Sequence, residues 1–167
     1  MTASFEGLAA DTSRGYEDIL RAAMAYSALE ILQKGITQYS SDSGAGSSLS
    51  GFHSIAVVST QLAQDYREPG CDRLRSGLQD HLYDASLKTE LADLAQSGDN
   101  VTGLAKALRH LAFHGVFSPG TIRYSPRGSR AVVQRVLGGL HQETLRAVNE
   151  HFTSWVEAVM ATPGPTS

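Results

Sequence analysis

Cysteine is nearly absent from this chain: Cys71 is the only one among 167 residues. A disulfide framework or a thiolate metal cluster cannot be assembled within one copy, and a reducing, cytoplasmic setting is expected. Long apolar runs are also missing. Nothing approaches the roughly 18 consecutive apolar residues of a membrane-spanning helix. Residues 1–10 carry Glu6 and no basic leader before an apolar stretch, so neither membrane insertion nor secretion is expected. Period-two strand patterns, internal repeats, a phosphate loop and a dinucleotide fingerprint are lacking as well.

Acidic residues are missing from one place in particular. Between residues 101 and 142 there is no Asp or Glu, whereas Lys106, Arg109, Arg123, Arg127, Arg130 and Arg135 are all basic. The formal charge of the whole chain is -3, so one basic block interrupts an otherwise acidic protein. Such a block is either a solvated face or a surface for a polyanion.

What is present is helical periodicity, and a hydrophobic share of 41% is enough for one core in one domain. Tyr16, Leu20, Ala23, Met24, Ser27 and Ile31 recur at threes and fours, which predicts a first helix from Ser13 to Lys34 stopped by Gly35, after an N-terminal arm of residues 1–12. Residues 40–51 are nearly all Ser, Gly and Asp and read as a flexible loop. Phe52, Ile55, Ser59, Leu62 and Tyr66 form a second stripe, ended by Pro69-Gly70. Leu74 to Leu94 reads as one bent helix or two short ones, with a phase change near Asp84.

Asp99 or Asn100 can cap the next helix, in which Leu104, Leu108 and Leu111 face the core and Gly115 marks the end. Ser125-Pro126 opens a long last helix to Ala161, with Val132, Val136, Leu140, Ala147, Val148, Phe152, Trp155 and Val159 on one side. Gly138-Gly139 marks a kink or a close approach, Trp155 reads as a core residue, and residues 162–167 form a disordered tail. The expected fold is therefore all-α, an up-and-down bundle of about five helices over residues 13–161.

The chemistry gathers at the end of the helix carrying Leu104. At about 100° per residue, Lys106, His110 and Phe113 lie opposite Leu104, while Arg109 and His114 flank them at about 140° and 280°. One helix alone does not bring Arg109 and His114 together; an unwound end, a long arginine reach or a second copy of the helix must do so. Phe113 on that polar side suits an interface anchor. A guanidinium with imidazoles fits a phosphodiester, because arginine holds phosphate oxygens and histidine moves protons near neutral pH. RNA supplies its own 2′-hydroxyl nucleophile, so no metal or other cofactor is called for.

Other readings stay open. Cationic residues at a helix C-terminus simply oppose its negative pole. His110 and His114, at i and i+4, share a face and suit zinc, but the remaining ligands would come from His53, His81, His141 or His151 without motif spacing. Glu30 in the first helix is within the residues that could contact this site, but it reads first as an exposed helical carboxylate and is left out of it.

The run Leu108-Arg109-His110-Leu111-Ala112-Phe113-His114-Gly115, followed by Ser118-Pro119, resembles the R-x-x-x-x-H motif of the HEPN domains, specifically their prokaryotic, uncharacterised branch. The resemblance covers the twelve residues from Leu108 to Pro119, Val116-Phe117 included, closely and the rest only in helical layout. It implies a bundle that dimerises through the motif helix, with a composite site from Arg109 and His114 of both copies and His110 as polar accessory. It also implies metal-independent endoribonuclease activity of the kind found in toxin, abortive-infection and defence systems, where an antitoxin or regulatory partner is common. Lys106, Arg123 and Arg127 lie outside the motif and are assigned to RNA contact from charge alone. Some HEPN domains are inactive, so the alternative is a noncatalytic interaction or nucleotide-sensing module.

Overall fold

The computed structural model describes residues 10–44, 49–114 and 127–161. Among them are six α-helices: α1 (Ala10–Asp42), α2 (Thr60–Arg67), α3 (Asp72–His81), α4 (Ala85–Gln96), α5 (Thr102–Phe113) and α6 (Arg127–Ala161). Short 3-10 turns at Ser50–Phe52 and Pro69–Cys71 complete the regular structure. The all-α bundle expected from periodicity is what forms, with six helices rather than about five.

The two long helices are the frame. α1 packs along α6 and also along α5, while α2 and the Pro69–Cys71 turn close against α6. Leucine dominates the core: Leu74, Leu78, Leu87, Leu91, Leu104, Leu108 and Leu140 from four helices are at most 1% exposed. Each contributes roughly 1.5–3 kcal/mol by leaving water.

Several boundaries differ from the periodic reading. α1 does not stop at Gly35 but continues to Asp42, and the chain turns at Gly44, whose φ of +70° lies in the left-handed region that glycine adopts without penalty. Residues 40–42 of the expected loop are therefore helical. The core face of α1 is also not the expected one. Ile19, Ala22, Tyr26, Leu29 and Ile36 are buried with Ala23, whereas Leu20, Met24 and Ile31 are 36%, 67% and 71% exposed. Both sides of this helix are apolar, so periodicity alone could not choose between them.

The second stripe starts later than expected. Ile55 and Val57 are buried in an extended segment, not a helix. That segment pairs with the approach to α5: the Val101 N–H donates to the Val57 carbonyl at 2.8 Å, the Ser59 N–H to that of Asp99 at 2.9 Å, and the Val57 N–H to the Thr102 hydroxyl at 2.7 Å. α2 then begins at Ser59, which caps it through a bond from the Leu62 N–H. Arg67 at its end binds the carbonyls of Leu94 and Gly98, tying α2 to the end of α4.

The stretch expected to be one bent helix or two is two, parted at residues 82–84. The Asp84 side chain caps α4 by accepting from the Leu87 N–H at 3.1 Å. Of the Gly138-Gly139 pair, Gly139 marks a close approach: a Cβ there would stand 2.6 Å from Leu62 Cδ2. Trp155 is half-buried, edge-on to Tyr39 with ring centroids 5.3 Å apart, and is not a central core residue. No helix among the described residues is long and apolar enough to cross a membrane.

Candidate functional site

α5 forms because its apolar residues fall on one side. Leu104, Ala105, Ala107, Leu108 and Leu111 are all buried, which fixes the helix rotation and directs the intervening polar residues outward. Its start is set by backbone rather than by a capping side chain of its own first residue. Val101 occupies the N-cap without a side-chain bond, and the Asn100 carboxamide accepts from the Thr102 N–H at 3.0 Å. Asn100 thus serves this start, as the sequence suggests, from one position upstream of the cap.

At the other end, His114 is the last described residue, and its N–H donates to the His110 carbonyl at 3.1 Å. The His110 and His114 rings are 4.4 Å apart between centroids and tilted by 50°. His110 is half-buried and His114 exposed. Phe113 beside them is 63% exposed.

Arg109 takes another direction. Its Nε stands 3.1 Å from Glu30 Oε2 of α1, although the N–H does not point along that contact and Nε has no hydrogen-bond partner. The attraction is therefore one of charge. The guanidinium carbon also lies 5.7 Å from the centroid of the Phe113 ring, within cation–π range. Below the pair, burial pushes the Tyr26 phenol up to about 12, with Glu30 adding to the rise, Arg109 opposing it and Glu90 adding again. Glu90 reaches this place from α4 because Gly103 leaves room: a Cβ on Gly103 would be 2.7 Å from Glu90 Oε2.

The remaining expected site residues separate. Lys106 and His110 both help to hold the Asp84 carboxyl below its usual range, after the larger effect of the Leu87 N–H. Arg123 lies outside the described residues, as do Gly115 and Ser118-Pro119. Arg127 opens α6, but its side chain is likewise not described. Elsewhere in the acid-free block, Arg135 is taken up by Asp65 and Glu68 of the α2 end, at 3.6 and 3.1 Å. Basic in sequence, the block is partly neutralised in space by carboxylates from other elements.

The structure therefore joins His110 to His114 and joins Arg109 to Glu30, in neighbouring positions on one helix end. Glu30 corrects the sequence reading: it is half-buried against α5, not an exposed helical carboxylate. Its signal was weak because position 30 sits between the buried and exposed sides of a helix that is apolar on both. Asp84 was legible as the place where the helical phase changes, but neither as the cap of α4 nor as a neighbour of Lys106 and His110.

Among the described residues no group of three or more His, Cys, Asp or Glu side chains is placed to hold a metal ion. His53, His141 and His151 belong to other parts of the fold; His151 Nε2, for instance, is 2.8 Å from the Phe52 carbonyl oxygen. Nor is Cys71 a candidate nucleophile: it is buried, and that burial pushes its thiol up to about 11, leaving it protonated at neutral pH. Comparison with family models, with curated proteins and with solved structures gave no match.

Proposed function

We propose that the protein is a metal-independent endoribonuclease that acts as a homodimer, with a composite site made from Arg109, His110 and His114 of two copies. The observation that carries this reading is the close pair of imidazoles, 4.4 Å apart on an accessible helix end, one turn from a guanidinium.

The chemistry follows from those groups. One imidazole takes the proton from a ribose 2′-hydroxyl as its oxygen attacks the adjacent phosphorus. The bond from phosphorus to the 5′-oxygen breaks, a second, protonated imidazole delivers a proton to that leaving oxygen, and the products carry 2′,3′-cyclic phosphate and 5′-hydroxyl ends. Arg109 balances the charge that builds on the phosphoryl oxygens. For this it must exchange Glu30 for the phosphate, a modest change because both side chains are partly exposed to water. Lys106 contributes to holding the RNA backbone, as do Arg123 and Arg127 in this reading. A role in a toxin or defence system, with an antitoxin as partner, fits such an activity.

The Glu30 contact also favours a second reading, in which Arg109 is a structural cation and the helix end is a noncatalytic interaction or nucleotide-sensing surface. The two readings part on one experiment. Mixed-sequence RNA is incubated in EDTA with wild type and with an Arg109→Ala, His114→Ala double variant, and the product ends are analysed. Cyclic phosphate ends from wild type alone support cleavage at this site; no cleavage by protein verified to be dimeric leaves the binding module.

A further inference from the structure

The side of α1 that faces away from the core carries an apolar stripe between Tyr16 and Ile31, beyond which its exposed residues include Lys34, Thr37 and Gln38. Leu20, Met24 and Ile31 are well exposed, and at about 100° per residue they fall within a sector of roughly 40°. Tyr16 and Ser27 border the sector, giving a stripe about 22 Å long from Tyr16 to Ile31. Ser27 is no polar interruption: its hydroxyl donates to the Ala23 carbonyl at 3.1 Å and so needs no outside partner. A helix apolar on both sides belongs between two packed surfaces, and α5 and α6 cover only one.

Gly35 is the second observation. It lies inside α1, where glycine is the poorest helix former after proline, and apart from its chain neighbours and the adjacent helix backbone no described atom comes within 4 Å of a Cβ built on it. Among the described residues nothing fills the space beside it, so an outside surface has room to approach the α1 backbone closely there.

We infer that this stripe is the seam of a homodimer in which two copies of α1 pack antiparallel about a two-fold axis level with Ala25 and Tyr26. The sequence is self-complementary about that point. Leu20 meets the partner's Ile31, Met24 meets the partner's Ser27, and Tyr16 reaches the level of the partner's Lys34 and Gly35. Glu17, near one end of the stripe, then stands level with the partner's Lys34, so each end of the seam carries opposite charges. A parallel arrangement would bring Glu17 to Glu17 and Lys34 to Lys34. An anionic membrane surface is a poorer occupant, since the stripe is flanked by Glu17 and Arg21, already paired at 3.7 Å, rather than by a row of cations.

An antiparallel pair of this kind keeps the same flank of both helices on the same side of the dimer. Glu30, and with it Arg109 and the end of α5, lies on such a flank. The two motif ends therefore border one common face, with α1 rather than α5 as the principal contact. The pairing stands independently of RNA cleavage, because it rests on α1 alone.

The test is sedimentation over a range of concentrations with the full chain. Wild type should be dimeric, and Met24→Glu and Ile31→Glu should each weaken the dimer by at least about 30-fold, with unchanged far-UV circular dichroism since both sites are exposed. Orientation is read by oxidation. A Leu20→Cys, Ile31→Cys double variant should form a covalent dimer, while each single variant should not. Within one chain the two positions are about 16 Å apart, beyond the span of a disulfide. A monomeric wild type, or a dimer that survives Ile31→Glu but is lost in Phe113→Glu, overturns the inference.

Discussion

Helices α5 and α1 pack against each other, yet they record their environment in different ways. In α5 Leu104, Ala105, Ala107, Leu108 and Leu111 form one buried side, and the other side carries Lys106, Arg109, His110, His114 and the exposed Phe113. In α1 apolar residues occur all round: Ala22, Tyr26 and Leu29 are buried, while Leu20, Met24 and Ile31 face outward. A helix with one apolar side dictates its own rotation, because only one orientation removes that side from water. A helix with two is oriented by its neighbours, and the side they leave uncovered is information about a further partner.

Paired truncations should show the contrast most strongly. Leu108→Ala, at a site with no exposure, is expected to lower stability by about 2–5 kcal/mol, whereas Met24→Ala, at a site 67% exposed, should cost under about 0.5 kcal/mol. Urea denaturation of the two variants measures both, at protein concentrations low enough to dissociate any dimer. Equal losses would mean that the outward side of α1 is packed within one copy.

The polar side of α5 offers the next largest effect. Arg109→Ala should reduce RNA cleavage by about 100-fold or more, as for loss of a charge-stabilising donor, while changing stability by no more than about 1 kcal/mol because its ion pair with Glu30 is partly solvated. A large loss of stability with no loss of cleavage would make Arg109 a structural cation.

Two glycines sharpen the comparison further. Gly139→Ala in α6 places a Cβ 2.6 Å from Leu62, a side chain itself only 5% exposed, and is expected to destabilise by about 1–3 kcal/mol. Gly35→Ala in α1 meets nothing within the chain and should stabilise the monomer by up to about 1 kcal/mol through helix propensity. Thermal melts of dilute samples separate the two signs.

The smallest effect concerns pH. The Asp84 carboxyl is held below its usual range in the folded state, first by the Leu87 N–H and then by Lys106 and His110. A depressed carboxylate stabilises the fold above the unfolded value, near 4, and that contribution disappears as pH falls through the lower folded value. Wild type should therefore lose stability between about pH 4 and the lower folded value more steeply than Asp84→Asn, as read from melts across that range. Parallel curves would remove Asp84 from the electrostatics of this helix end.

Much of the fold was legible in advance. The leucine spacing of α3, α4 and α5, the break near Asp84, and the end of the last helix at Ala161 all follow from local period and turn chemistry. The reading failed where local pattern was satisfied by more than one structure. Phe52, Ile55 and Ser59 fit a helical stripe, but Phe52 ends a 3-10 turn and the chain from Ile55 to Ser59 is extended, with the backbone groups of Val57 and Ser59 finding partners at Asp99, Val101 and Thr102. These lie about forty residues away, where no sequence window reaches. Gly35 looked like a stop and is not one, since packing along α5 and α6 outweighs the propensity cost of a single glycine.

The candidate site divides in the same manner. Sequence alone determined that His110 and His114 share a helix face, because positions four apart on a helix are neighbours whatever surrounds them. It also determined an all-α architecture and which side of α5 faces the core. Only the tertiary structure decided that Arg109 meets Glu30, that Asp84 stands by Lys106 and His110, and which side of α1 is buried. Those outcomes depend on contacts between distant segments, and the free energy that selects them belongs to the packed assembly rather than to any one stretch of chain.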